Sequence, residues 1–287
     1  MGLKQRMLNF ESGGGKSEVI TDNEFKHIVM YVKNNYGIDL SQKRVLVGGR
    51  LENYLVRNGY ASCSEYMAKV ESHPKGAEAT DSINVLTTNH TYFMRESEHF
   101  DYLKNIVLPW ATTKERVKKD LRIWSAASST GEEPYTLAMV LLDFLGIEHS
   151  KWDTKVLATD ISTRVLEHAI KGVYLREDIE PLPPRWKQRY FKQIGAEEYK
   201  IKEELKKEVI FRQFNLMNPF PFKKKFHIIF LRNVMIYFQD DTKYNLIEKM
   251  YDYMEPGGYL FIGTTESLDR NKIQLQYIQP SIYRKGN

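Results

Sequence analysis

Residues 123–142, IWSAASSTGEEPYTLAMVLL, restrict the fold more than any other part of the chain. The apolar run 121–127 has the length and composition of a buried strand. Ser128, Ser129, Thr130 and Gly131 supply a turn, with Pro134 just past two acids. Tyr135, Leu137, Ala138, Leu141, Leu142 and Leu145 then recur at helical spacing. Strand, tight turn and helix is the geometry in which open α/β sheets bind a ligand beyond the carboxyl end of a strand. A pyrophosphate cradle needs bare amides and glycines. Here Glu132 and Glu133 stand at the helix start, which suits a cationic or hydroxyl-rich ligand and repels a pyrophosphate. The same pair has a structural reading, as complements to the helix dipole at about 0.3–1 kcal/mol each.

The 287 residues leave room for one large domain and a small one. Nothing approaches the roughly 20 apolar residues of a membrane span. The start, MGLKQRMLNFESGGGKS, has neither the apolar core nor the cleavage pattern of a signal peptide. Cys63 is the only cysteine, so an internal disulfide is excluded and a cytoplasmic address is expected. Residues 1–20 read as a flexible arm. Their GGGKS is not a phosphate loop, because the required first glycine falls at Phe10 and no strand precedes it. Residues 200–225 carry eight basic side chains against three acidic ones. A solvated face is the plain reading; an acidic protein or nucleic acid is the alternative.

Residues 21–88 predict a small all-helical domain. Thr21 with Glu24 makes a capping box, Phe25, Ile28, Val29, Val32 and Tyr36 form one stripe, and Gly37 ends the helix. Further helices are expected over 43–57, from Ser62 with Glu65 as its box partner, and over about 76–88. The second shows Lys43, Arg44, Arg50 and Arg57, a basic face fit for solvent or an acidic surface. Residues 89–110 form an interdomain segment and a helix over 96–110 that turns Phe100, Leu103, Ile106 and Val107 inward. TTNHTYFMRES (87–97) holds more hydrogen-bonding side chains than a linker needs.

Residues 111–287 alternate strands, at 121–127, 154–159, 209–215, 227–232, 259–263 and 276–284, with helices at 133–145, 162–171 and 240–254. That rhythm predicts a Rossmann-like, doubly wound, mostly parallel sheet. Residues 172–208 break it, with Pro181, Pro183 and Pro184, and read as an inserted antiparallel β-subdomain. Asp160, Asn215 and Asn233 each follow a strand on the ligand side. An acid at the end of the second strand is where such a sheet grips a ribose diol. Each could instead be a helix N-cap; three on one rim, with the glutamates, point to a nucleoside. S-adenosylmethionine, with its sulfonium, ammonium and ribose diol, meets that description.

Together WSAASSTGEEPYTLAM, LATDIS, FNLMNPF, FLRNVMIYF and TTNHTYFMRES resemble the chemotaxis-receptor glutamate O-methyltransferases of the CheR type, in order over residues 21–284. Leu231 stands where a cysteine is common, and Ser128 where Ala or Cys is common. The resemblance implies an S-adenosylmethionine-dependent enzyme that releases S-adenosylhomocysteine and esterifies glutamates on the cytoplasmic helical domain of methyl-accepting receptors. It implies that Asn89, Thr91 and Arg95 reach the cofactor from the interdomain segment. Glu133 would lie after strand one, Asp160 at the ribose, Asn215 and Leu216 near the adenine, and Asn233 and Val234 along the methionine part. Arg95 and Tyr237 would border the transferred methyl.

A carboxylate nucleophile is already ionised at neutral pH, so no general base is needed, and no metal-ligand spacing is present. A methyltransferase acting on nucleic acid is the first rival; FLRNVMIYF lacks the Asn-Pro-Pro-aromatic type of motif that holds a flipped base. A non-catalytic sensor is the second, and the intact Arg95 and Tyr237 speak against it. The expected enzyme is a monomer, inserts in no membrane, binds no nucleic acid and is recruited to membrane-bound receptors. In the family this chain resembles, members that dock on a receptor-tail pentapeptide look longer and richer in glycine in the loop of the β-subdomain. FKQIGAEEY (191–199) is short, with only Gly195, and Glu197 and Glu198 would repel an acidic peptide, so such binding is not expected. Direct contact through Lys43, Arg44, Arg50 and Arg57 is expected instead.

Overall fold

The computed structural model describes residues 20–74 and 76–287, so residues 1–19 of the arm lie outside the described residues. At Thr21 the cap forms reciprocally. The Glu24 N–H donates to Thr21 Oγ1 at 3.3 Å, and the Thr21 N–H donates to the Glu24 carboxylate at 2.9 Å. This opens α1 (Asp22–Tyr36), followed by α2 (Arg44–Asn58), α3 (Cys63–Ser72) and α4 (Ala77–Leu86). Their apolar stripes meet in one core around Ile28, Val32, Val47, Leu51, Tyr66 and Val70. At Ser62 only half of the expected box exists: its hydroxyl accepts the Glu65 N–H, but the Glu65 carboxylate takes the Ala61 N–H instead.

The next helix starts and ends later than the sequence predicts. It comprises α5 (Glu98–Tyr102), a π-helical stretch (Leu103–Val107) and α6 (Leu108–Lys114). The wider turn shifts the facing of its residues. Phe100, Leu103 and Val107 are buried, whereas Ile106, expected inside, is 48% exposed.

The sheet follows, with β1 (Ile123–Ala126), α7 (Glu132–Leu145), β2 (Val156–Asp160), α8 (Thr163–Lys171), β3 (Val173–Leu175), α9 (Arg176–Ile179), α10 (Pro184–Tyr190), β4 (Phe191–Gln193), β5 (Glu198–Ile201), α11 (Glu203–Lys206), β6 (Val209–Gln213), β7 (Phe226–Leu231), α12 (Asp240–Asp252), β8 (Met254–Ile262), β9 (Gln276–Gln279) and β10 (Ile282–Arg284). The large sheet runs β6-β2-β1-β7-β8-β10-β9. Its first five strands are parallel, and β10 and β9 add antiparallel. The single strand expected over 276–284 is therefore a hairpin, with Ser281 at φ 66 in the turn. The chain moves outward from β1 to β2 and β6, then returns to lay β7 on the other side of β1, which makes the gap between β1 and β7 the topological switch point. Between β2 and β6, the inserted segment forms its own antiparallel sheet, β3-β5-β4.

Alternation along the strands sorts the core into two layers. Ile123, Ile228, Phe230 and Phe261 pack with Leu137, Leu141 and Phe100, while Trp124, Ile229, Leu231 and Leu260 pack with Leu246, Ile247 and Met250 of α12. Full burial of each such side chain contributes about 1.5–3 kcal/mol. The expected doubly wound architecture with its all-helical start is the one observed.

Two charged clusters turn inward. Lys202 Nζ donates to the Gln188 and Arg189 carbonyls and Lys206 Nζ to those of Ile170 and Lys171, so these lysines close helix ends. Arg50 donates to the Leu86 and Thr87 carbonyls and to Thr88 Oγ1, and Arg44 to the Ile20 carbonyl. The basic face read from the second helix thus loses two of its four members to structural work. Strand β8 begins five residues earlier than expected, through a bulge whose Gly258 lies against backbone. An added Cβ there would sit 2.8 Å from the Glu255 carbonyl oxygen and 2.9 Å from that of His227. Gly258→Ala should cost about 1–3 kcal/mol of stability by overpacking; a urea midpoint unchanged from the parent would refute the close approach.

Candidate active site

Gly131 takes φ 100 and caps α7, so Glu132 and Glu133 are the first two helical residues. About 100° of rotation separates neighbours on a helix, so the two cannot face the same way. Glu132 turns to its own loop, where Thr130 Oγ1 donates to it at 2.7 Å. Glu133 faces a cleft of about 330 Å³ beyond the carboxyl ends of β1, β2, β6 and β7. The spacing alone left this choice open.

All ten sequence-predicted site residues line that cleft: Asn89, Thr91 and Arg95 from the interdomain segment, Glu133, Asp160, Asn215 and Leu216, Asn233 and Val234, and Tyr237. Tyr36, Ile38, Leu40, Lys43 and Leu46 of the helical part cover it from the other side. The interdomain segment is held from both directions. Ser129 Oγ donates to the Asn89 carbonyl at 2.9 Å, and Arg50 grips Leu86 and Thr87.

Asp160 is buried at the end of β2. Its two oxygens accept the Ser129 N–H at 2.8 Å and the Ser162 N–H at 2.9 Å. Burial pushes its carboxyl above the ordinary range, against these N–H donors. The N-cap of α8 is Ser162, which removes the capping reading of Asp160. An ionised carboxylate offers about four acceptor sites; the Ser129, Ser162 and Ile161 N–H groups take up to three, which leaves Asp160 a free lone pair in a cleft that Ile161, Phe214 and Leu216 also line. Asn215 and Asn233 are more committed than their motif positions suggest. The Asn215 amide donates to the Asn35 carbonyl and accepts the Met217 N–H, and Asn233 Nδ2 donates to Glu96.

Sequence reasoning passed over Glu96, Arg232 and Glu266, although the first two lie inside quoted motifs. The Arg232 side chain, 2% exposed, reaches Glu133 at 3.0 Å and Glu96 at 3.1 Å, and also donates to the Arg95 carbonyl. Burial works to raise the Glu96 carboxyl, but Arg232, the Thr264 N–H and the Asn233 amide outweigh it and hold the group below the usual range. Burial pushes the Glu133 carboxyl up, opposed by Arg232 and the Ser125 hydroxyl. Glu266 accepts the N–H groups of Asn233, Ile236 and Gly263 at 2.9, 3.2 and 2.6 Å, which fixes the loop after β7. An acid outside every quoted motif gave no local signal.

A family model described as "CheR methyltransferase, SAM binding domain" matches residues 89–283, and "CheR methyltransferase, all-alpha domain" matches residues 23–87. The chain belongs to the CheR methyltransferase family. It is similar to a chemotaxis protein methyltransferase of Borreliella burgdorferi, with 42% identity over 93% of this chain and 95% of that protein. It is also similar to one from Escherichia coli, 38% identical over 86% of this chain and 85% of the relative. A probable chemotaxis protein methyltransferase of Rhizobium etli is 34% identical over 82% and 89%.

The enzyme is accordingly an S-adenosylmethionine-dependent methyltransferase of the chemotaxis type, and its donor set fits that cofactor. Asp160 suits a diol, and Ile161, Phe214 and Leu216 on the same cleft suit a flat base. The two-carboxylate attraction read from the sequence is weaker than supposed, because Glu132 faces away and Arg232 matches Glu133.

Burial raises the Glu132 carboxyl to about 7, with the Thr130 hydroxyl opposing. Below about 4.5 the folded and unfolded chains both hold the proton. Between there and about 7 only the unfolded chain releases it, so this group's stabilisation is lost as pH rises through that window. Glu132→Gln cannot ionise and should lose less stability than the parent from about pH 5 to about pH 8, by on the order of 1–3 kcal/mol. Parallel urea stability curves for the two proteins would mean that Glu132 is charged when folded.

Proposed function

We propose that this enzyme methylates glutamate side chains on the cytoplasmic helical domain of chemotaxis receptors, forming glutamyl methyl esters for sensory adaptation. The observation that carries the reading is that Arg95 and Tyr237, from distant parts of the chain, border one cleft with Asp160. When bound, S-adenosylmethionine supplies an electrophilic methyl group on a positively charged sulfur. A glutamate carboxylate is ionised at neutral pH, so the chain's own residues have only to align it and exclude water. Arg95 is half-buried, and its guanidinium commits one nitrogen to the His90 carbonyl at 2.8 Å. Its remaining donors suit a carboxylate in a charge-assisted pair. The Tyr237 phenol, on the same cleft, would donate a further hydrogen bond to that carboxylate. Asn89, Thr91, Glu133, Asp160, Asn215, Leu216, Asn233 and Val234 would hold the cofactor, the two asparagines at 215 and 233 in part through backbone, since their amides are engaged.

Among the described residues no helix is long and apolar enough to cross a membrane. The enzyme would meet membrane-bound receptors from the cytoplasmic side. The short β4–β5 turn, tied by Arg176 to Glu197 at 3.0 Å, supports docking without a receptor-tail pentapeptide. With Arg44 and Arg50 engaged internally, Lys43, which precedes α2, and Arg57 within it are left as the basic contacts.

Incubation with tritiated methyl donor and receptor-bearing membranes tests the reaction. Glutamyl esters should release volatile methanol in base; label that stays bound would indicate nitrogen or nucleic-acid methylation and refute the proposal. Asp160→Ala should weaken S-adenosylhomocysteine binding more than about tenfold, since charge-assisted bonds contribute roughly 1.5–3 kcal/mol apiece. Arg95→Ala and Tyr237→Phe should instead slow single-turnover transfer at saturating cofactor. Calorimetric affinity within about twofold of the parent would remove Asp160 from the site, and wild-type transfer rates in the other two would remove both from the chemistry.

A further inference from the structure

The end of α1 makes a series of contacts with the segments that carry Asn215 and Tyr237. Asn215 Nδ2 donates to the Asn35 carbonyl at 2.8 Å. Gly37, at φ +74, comes so near that a Cβ would lie 2.6 Å from Met217 Sδ and 2.9 Å from Thr242 Cγ2. Ile38 and Phe238 form an antiparallel bridge. The Asp39 N–H donates to the Tyr237 carbonyl at 2.7 Å, and Gln239 Nε2 donates to Asp39 Oδ2 at 2.8 Å.

These contacts surround a turn of only three residues, Met235–Tyr237. From the sheet side, the turn is held by Glu266 through the Asn233 and Ile236 N–H groups. Tyr237 itself is fixed from the helical side, because the hydrogen bond to its carbonyl comes from Asp39. A short turn transmits a backbone shift directly to its side chain, and a displacement of about 1 Å at a reacting group lowers rate on the order of 100-fold. Tyr36, Ile38 and Leu40 also line the cleft, so docking residues 35–39 covers the cofactor site and sets Tyr237 in one event.

We infer that Asp39 and Gln239 are positioning residues for methyl transfer, acting through the backbone of Tyr237. The inference rests on the role given to Tyr237 above. It gives the N-terminal helical part a second task beyond covering the cleft: the catalytic turn is complete only while that part is docked.

A charge swap tests it. Gln239→Glu sets two carboxylates against each other across the strap formed by residues 35–39. Adding Asp39→Asn restores one hydrogen bond with its polarity reversed. The amide oxygen of that second substitution can still accept the Ser41 N–H, which the Asp39 carboxylate takes at 2.9 Å in the parent. At saturating cofactor, single-turnover transfer should fall about tenfold in the Gln239→Glu protein and recover to within about threefold of the parent in the double variant. S-adenosylhomocysteine affinity should fall less than the transfer rate does in the Gln239→Glu protein, by no more than about threefold, and recover in the double variant. Exchange of the residue 39 amide, which needs no activity, should quicken in the single variant and slow again in the double one. Gly37→Ala, which spreads the same seam without touching charge, should also quicken that exchange and slow transfer. A parent-like transfer rate despite faster exchange at residue 39 overturns the inference alone, as does a double variant that regains protection without regaining rate. A wild-type protein that protects the Asp39 amide yet transfers no methyl to receptors overturns the functional reading, and the catalytic meaning of the strap with it.

Discussion

The Arg232 guanidinium, held between Glu96 and Glu133, is the interaction on which the active cleft depends. Taking a charge out of water costs several kcal/mol unless matched groups meet it. Here two carboxylates and the Arg95 carbonyl do so, and the planar fork of arginine suits that arrangement in a way lysine would not. The ring of Phe100 lies 5.5 Å away and that of Phe230 6.0 Å, beside a guanidinium whose side chain is only 2% exposed. Three segments meet there without any local reason to do so: the loop after β7, the first turn of α7 and the interdomain segment. Each group is tolerable in the interior only because the others are present, so the three segments assemble together.

Strain gathers where that assembly is tightest. Met94, Glu96, Ala127, Ser129 and Asn233 all take positive φ, five of the seven non-glycine residues that do so among those described. Each lies in a segment that forms the cleft. Such conformations cost on the order of 1–3 kcal/mol apiece and persist only where surroundings over-determine them. The surroundings are identifiable: Arg232 against Glu96 and the Arg95 carbonyl, Asp160 on the Ser129 N–H, and Glu266 on the Asn233 N–H. The chain has spent stability in the region where its chemistry needs fixed geometry.

The topology explains why the cleft is where it is. With β1 and β7 adjacent but their following segments diverging, a crevice opens beyond their carboxyl ends, and loops from β2 and β6 extend its rim. The sheet supplies only one wall. The other is the helical part, joined through Asn35, Ile38 and Asp39 on one side and through Arg50 and Ser129, which hold residues 86–89, on the other. An enclosed site therefore requires both halves of the chain.

Features of short period or short span were legible in the order of residues. Strand and helix follow from alternation and helical spacing, the first cap from Thr21 and Glu24, and the parallel core from strands separated by crossover helices. The ligand rim follows from polar residues at strand ends. Each depends on neighbours a few residues away, whose relative direction the backbone already fixes. Spacing did not separate Glu132 from Glu133, although the family resemblance favoured Glu133; the tertiary fold turns Glu133 to the cleft, makes Arg232 and Glu266 its organisers and puts Arg50 to work inside the protein. It also decided that residues 276–284 fold back as a hairpin and that a π-helical turn exposes Ile106. Which charges share a dry pocket depends on segments that meet only after folding, and nothing in local spacing carries that information.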